Sequence, residues 1–348
     1  MEGLLTYSGL TTKVRAMKRR LIKSFQYREL ASLDSVPGAV DYLRRLPAYG
    51  PFLSGTDESQ LHRSQIEELL LQSKYHDFSK LYRFSTLPQR KFLDLYFMHY
   101  EISALKRCLR GVIRQVPVDL NLALFQDFFE RHSKLDFIKL STAKGLEEFT
   151  ESLAGSPYYA ALTRLNRQEG ITLFDYEMSL DMIYFHTMWK IKDKELKRQE
   201  REALTQCFGE RLDMLNLQWI YRCIQYYHMA PSEICALLIP IFHRLKAEQV
   251  SALASAGSVE KFYNLLSTTY YGNRNLMSAN WKPDPEALTE QVLDRIHKLT
   301  ERRDPYSIAT VNSYLYFKEL EITRIIHIIE SIRYGLEPEK ILSSVMNA

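Results

Sequence analysis

One pattern in this chain occurs three times. Take Ile102, Leu217 and Ile322 as position zero; a polar residue, Glu101, Asn216 or Glu321, stands just before each. Positions three, seven and ten further on are apolar in every copy: Leu105, Leu109 and Val112; Ile220, Ile224 and Tyr227; Ile325, Ile329 and Ile332. That spacing is one stripe of an amphipathic helix. Position five is basic or can become so: Arg107, Arg222 and His327. A proline follows each stripe, at Pro117, Pro231 and Pro338, with an apolar residue three places beyond, at Leu120, Ile234 and Ile341. The zero positions lie 115 and 105 residues apart. One helical unit used three times is the simplest reading, and repetition of a unit points to shape and assembly before it points to chemistry.

A second marker recurs between these helices. Leu146-x-x-Phe149-x-x-x-Leu153 leads to Tyr158-Tyr159, and Val259-x-x-Phe262-x-x-x-Leu266 leads to Tyr270-Tyr271. Ala39-x-x-Tyr42-x-x-x-Leu46 leads, after a shorter gap, to Tyr49. Each predicts a short helix ending in a tyrosine-bearing turn, with Gly50-Pro51, Ser156-Pro157 and Gly272-Asn273 as turn formers. Tyrosines 49, 158 and 271 are 109 and 113 residues apart, close to the helix spacing. Two independent markers therefore share one period.

Composition narrows the class. Of 348 residues, 46% are hydrophobic and 25% charged, the balance of an ordinary globular protein with room for a large core. Thirteen glycines and twelve prolines leave little punctuation for many short strands. Ile66–Leu81, Lys190–Ala203 and Pro285–Glu301 carry helix formers with a 3.6-residue period, and no alternating β run of useful length occurs. The fold class is all-α. No run reaches the roughly 18 to 20 apolar residues of a membrane span; the most apolar, Ile234–Phe242, is short and contains Pro240. Lys13, Arg15, Lys18, Arg19 and Arg20 have no apolar core region after them, so a signal peptide and export are not expected. Cys108, Cys207, Cys223 and Cys235 show no metal-ligand spacing and read as structural thiols.

Catalytic constellations are missing from the sequence. There is no phosphate loop, no Gly-x-Gly-x-x-Gly and no His-Glu-x-x-His. Glu177 and Asp181 share a helix face, with His186 five residues on, which would suit a metal-dependent helical hydrolase. The plainer reading is a solvated face, because an amphipathic segment needs such carboxylates. No cofactor is expected. The basic run Lys13–Lys23 lies on a helix with the apolar stripe Val14, Met17 and Leu21. It is either a surface for an acidic partner or lipid headgroups, or the solvated side of a packed helix. Lys190–Glu202 mixes both signs and predicts an exposed helix laced with ion pairs, not a nucleic-acid patch.

The C-terminal third carries the most specific sequence: Asp304-Pro305-Tyr306-Ser307-Ile308, then Tyr314-Leu315-Tyr316-Phe317-Lys318-Glu319-Leu320-Glu321-Ile322, then Ile332-Arg333-Tyr334-Gly335-Leu336-Glu337-Pro338. Near the start stand Tyr7, Val14-Arg15-Ala16-Met17 and Val36-Pro37-Gly38-Ala39-Val40-Asp41-Tyr42-Leu43, leading to Tyr49-Gly50. Over nearly its whole length the chain resembles the C subunit of bacterial and archaeal V/A-type ATPases, the counterpart of the d subunit in eukaryotic V-ATPases. The Lys318-Glu319-x-Glu321 helix with its Tyr-Gly-Leu-x-Pro exit is the strongest motif of the match. Arg324 and Ile326 depart from the family, which often has Asn and Arg there, and the middle unit matches only in its hydrophobic skeleton.

The resemblance implies three similar helical-bundle units, 1–120, 121–237 and 238–348, set around a pseudo-threefold axis as a funnel. It implies a non-catalytic coupling between central shaft subunits of the D and F type and the membrane rotor ring of K/c-type subunits, with the membrane stator subunit as a further contact. The protein would then be peripheral, on the cytoplasmic face of the membrane, and serve ATP-driven ion transport or ATP synthesis. The residues expected at an interface or cavity are Glu101, Asn216 and Glu321 beside the stripes, Arg107, Arg222 and His327 along them, and Lys13, Arg15, Lys18 and Arg19 near the N-terminus. The alternatives are a helical-repeat scaffold with no link to a membrane machine and the helical hydrolase.

Overall fold

The computed structural model describes residues 2–55, 62–116, 122–272 and 285–346. Pro117, Leu120 and Asn273 lie outside them. The described residues form helices and connecting turns, with no strand among them, so the fold is all-α. The chain begins with α1 (Glu2–Lys18), α2 (Ser24–Ala31), α3 (Val36–Arg44) and α4 (Gly50–Leu53). It continues with α5 (Arg63–Phe84), α6 (Leu87–Arg114), α7 (Leu122–His132), α8 (Phe137–Ser141), α9 (Leu146–Glu151), α10 (Tyr159–Asn166) and α11 (Leu173–Glu195). Then come α12 (Arg198–Arg222), a π-helical turn (Cys223–Tyr227), α13 (Pro231–Leu237), α14 (Ala247–Ala254), α15 (Val259–Ser267), α16 (Pro285–Arg303), α17 (Ile308–Arg333) and α18 (Pro338–Met346). No described helix is long and apolar enough to cross a membrane.

Two compact units result. Arg63–Leu196 form one; Met1–His62 and Lys197–Ala348 together form the other, so the two ends of the chain share a core. In the contiguous unit, α11 packs along α6, and α8 and α9 close over α6. Its centre is aromatic: the Tyr75 and Phe128 rings stack 4.5 Å apart, and Phe78 meets Tyr100 edge-on at 5.5 Å. In the other unit, α16 lies along α12 and α17, while α1, α2 and α3 pack on α17. Met214, Leu217, Ile220, Leu253, Phe262, Leu266 and Val292 are buried together in one of its cores.

The three stripes sit in α6, in α12 with the π-helical turn that follows it, and in α17, and all but one of their residues face a core. Tyr227 is 69% exposed, whereas its counterparts Val112 and Ile332 are buried. The π-helical turn explains the difference. It takes up one residue more than an α turn and swings the last stripe position off the apolar face. The short helices of the second marker are α3, α9 and α15. Ser35 and Ser258 cap α3 and α15, each hydroxyl accepting from the backbone N–H three residues on, at 3.2 and 3.3 Å.

Two helical readings need correction. The basic N-terminal helix stops at Lys18, not beyond Leu21; Arg15 and Lys18 fall in its last turn, where cations meet the negative end of the helix dipole. The Lys190–Glu202 stretch is also not one exposed helix. It breaks at Leu196, which has extended backbone and is buried, and α12 starts two residues later. Lys192 in this run is buried, its Nζ 4.0 Å from the Trp189 ring centroid and 2.9 Å from Asp193 Oδ1.

Candidate functional site

Glu101, Asn216 and Glu321 do not face open solvent; each holds a neighbouring segment. Glu101 on α6 accepts a hydrogen bond from the Tyr158 hydroxyl at 2.6 Å and a second, short one from Ser133 Oγ. Ser133 Oγ in turn accepts from Leu135 N at 3.0 Å, which fixes the turn entering α8. Glu321 on α17 accepts from the Tyr49 hydroxyl and from the backbone N–H of Ile22, both short, which fixes the turn entering α2. In α12 the work is divided. Asn216 exchanges two bonds with the Ile239 backbone, giving to its carbonyl at 3.0 Å and accepting from its N–H at 2.9 Å. Asp213, one turn earlier, accepts from the Tyr271 hydroxyl at 2.8 Å and from the backbone N–H groups of His243, Arg244 and Leu245.

The same device thus occurs three times. A buried turn tyrosine donates to a carboxylate on a long helix, and that carboxylate also anchors the segment leading into the next short helix. Tyr49, Tyr158 and Tyr271 are completely buried. Burial and the adjoining carboxylate push each phenol well above the usual tyrosine range, so all three stay protonated as donors. Two of the turns are built alike: Ser156 Oγ and Thr269 Oγ1 each accept from the N–H of the tyrosine two residues later, at 3.3 Å. Burial is the largest influence on Asp213 and raises its pKa, against the pull of its four donors. Glu321 has an extra partner. Lys318, 1% exposed, places its Nζ 3.2 Å from Glu321 Oε1, 2.8 Å from the Tyr49 hydroxyl and 4.1 Å from the centre of the Tyr49 ring.

The basic positions bind the helix alongside. Arg107 reaches Glu68 on α5 at 3.4 Å, and Arg222 reaches Glu286 on α16 at 2.6 Å. His327 Nε2 lies 3.0 Å from Ser344 Oγ on α18. Near the N-terminus, Lys18 pairs with Glu301 at 2.5 Å and Arg15 lies over the Tyr306 ring at 5.3 Å. Lys13 is half-buried and Arg19 exposed. Arg324, where the chain departs from the family, pairs with Glu290 and lies 5.9 Å from the Tyr27 ring. The supposed metal residues are otherwise engaged: Glu177 takes both arms of Arg110, at 2.6 and 3.0 Å, and Asp181 pairs with Lys106 at 2.6 Å. Among the described residues no cluster of three or more His, Cys, Asp or Glu could hold a metal ion.

Asp213 was not legible from the repeat, because the middle copy moves its carboxylate one turn back. A constant separation could have exposed it: Tyr158 follows Glu101 by 57 residues and Tyr271 follows Asp213 by 58. Glu321 closes instead on Tyr49, 272 residues earlier.

The chain is an all-α protein whose buried carboxylates and tyrosines tie its segments together. A family model described as ATP synthase (C/AC39) subunit matches residues 10–344, and the chain belongs to that family. It is 25% identical to the A-type ATP synthase C subunit of Methanosarcina mazei, over 98% of this chain and 92% of that protein. The C subunits of the A-type ATP synthases of Pyrococcus abyssi and Thermococcus kodakarensis are 26% and 25% identical, over 97% and 96% of this chain and 90% and 89% of theirs. It is therefore a structural subunit of an A/V-type ATP synthase and not a catalytic one.

Proposed function

We propose that this protein couples the rotating central shaft of the complex to the membrane rotor ring, on the cytoplasmic face of the membrane. Its partners are then shaft subunits of the D and F type and the K/c-type ring, with the membrane stator subunit as a further contact. Segments 1–120, 121–237 and 238–348 act as three related units around a pseudo-threefold axis, forming a funnel that seats the shaft. The observation that supports this most is the threefold recurrence of the lock. Each third of the chain contributes one long helix whose carboxylate holds one turn tyrosine: Glu101 holds Tyr158, Asp213 holds Tyr271 and Glu321 holds Tyr49. Three copies of one device suit three related units. Torque transmission needs stiffness, and close-packed helices tied by buried polar bonds resist deformation.

Size-exclusion chromatography of the purified full-length protein with detergent-solubilised rotor ring, and separately with isolated shaft, tests the reading. Coelution with both is the expected result, with no nucleotide hydrolysis. ATP turnover by the protein alone, or coelution with neither, sinks it; the second outcome returns the helical-repeat scaffold.

A further inference from the structure

Ser133 Oγ stands in the first lock where the Ile22 N–H stands in the third, and the third has a lysine that the first lacks. Lys318 stands three residues before Glu321, and its ammonium fills the space between the Glu321 carboxylate and the Tyr49 hydroxyl. The equivalent residue three before Glu101 is Met98, on the same face of α6 one turn earlier. Glu101 and Tyr158 keep the phenol-to-carboxylate bond of the other lock. Tyr158 donates to the carboxylate, which leaves a lone pair on the phenol oxygen in the role that Tyr49 uses to accept from Lys318.

What lies in place of the missing ammonium is a cavity of about 710 Å³ in the Arg63–Leu196 unit, lined by Glu101, Tyr158 and Met98. Its charged lining comprises Asp94, Glu101 and Glu195 against Lys91 and Lys134. Lys91 is already held by Glu195, Lys134 is exposed, and burial lowers His132 to a pKa of about 4, which leaves it neutral at pH 7. Leu95, Leu135 and Ile191 give the cavity apolar walls suited to an aliphatic stem.

We propose that this cavity is a socket for a lysine side chain supplied by a partner polypeptide, whose ammonium bridges Glu101 and Tyr158 as Lys318 bridges Glu321 and Tyr49. The acidic surplus attracts the cation, and the apolar walls take its methylenes. The inference does not depend on which protein of the complex supplies the lysine, nor on the coupling role.

The test uses the full-length protein with 13C-labelled methionine methyls and, as probe, Nα-acetyl-lysine methylamide. Its Nε-acetylated form is the control. The expected result is a saturable shift of the Met98 methyl with millimolar affinity from the amine and none from the control. Glu101→Gln should weaken binding at least about tenfold, the usual worth of a hydrogen bond to a charged group. Met98→Lys supplies the ammonium internally. It should abolish binding, read from the remaining methionine methyls around the cavity or by calorimetry, and should leave the melting temperature unchanged or higher. No saturable shift, an equal response to the acetylated control, or a Met98→Lys protein that melts lower and still binds the probe would each overturn the proposal. Should Glu101→Gln fail to fold, the Met98→Lys protein decides alone.

Discussion

At the residue scale, the lock around Lys318 joins a buried ammonium to a buried carboxylate. The Lys318 and Glu321 side chains, 1% and 3% exposed, satisfy each other in the core, and Tyr49 completes the set. Lys318→Met strands Glu321 in the core and should cost about 3–5 kcal/mol, measured by urea denaturation. A double variant that also replaces Glu321 with Gln should recover part of that loss, since no buried charge remains. His297 gives a second prediction, in pH. It is buried, stacked 4.2 Å from Tyr316, and burial, with Arg211 and Lys18 adding to it, lowers its pKa from 6.5 to about 3. The unfolded chain therefore binds a proton that the folded one refuses between these values. Stability contributed by the neutral imidazole is intact above pH 6.5 and is lost as pH falls towards 3. From pH 8 to 5 the loss should approach about 2 kcal/mol, and His297→Phe should flatten it, read from denaturation midpoints.

At the element scale, apolar spacing located the long helices well but could not see changes of phase. Ile66–Leu81 and Pro285–Glu301 lie inside α5 and α16. The stripe through Ile220 and Ile224 fails at Tyr227, because a π turn costs no apolar residue and leaves no mark in the spacing. The two ends of this stripe pattern should therefore differ in worth. Ile329→Ala, in an unbroken α17, should cost about 2–5 kcal/mol, while Tyr227→Ser should stay within about 0.5 kcal/mol of the parent by thermal or chemical unfolding. The Lys190–Glu202 break was hidden for a related reason. Both flanks favour helix, and only the burial of Leu196 reveals that the chain turns there.

At the scale of the whole molecule, residues 1–62 complete a unit whose other part begins at Lys197. Removing them takes away Tyr49, α1, α2 and α3, and exposes the buried face of α17. The truncated chain should bind a hydrophobic dye and aggregate, with near-ultraviolet circular dichroism from the Arg63–Leu196 unit partly kept. Thiol access gives a check on the intact fold. Cys108, Cys207 and Cys223 are buried, and burial pushes the first two up to about 12, whereas Cys235 is exposed. One thiol should react with a disulfide reagent at once, and three only in denaturant.

The sequence by itself determined the helical class, the threefold recurrence of stripe and tyrosine turn, and the family, because these are carried by residue types at fixed local spacing. It also marked Glu101, Asn216 and Glu321 as a set. The tertiary structure alone decided what they bond. Whether a polar side chain beside an apolar stripe meets water, a ligand or a phenol from 57 or 272 residues away depends on which segments pack over it. That choice is made by the burial of the whole core, and no local spacing encodes it.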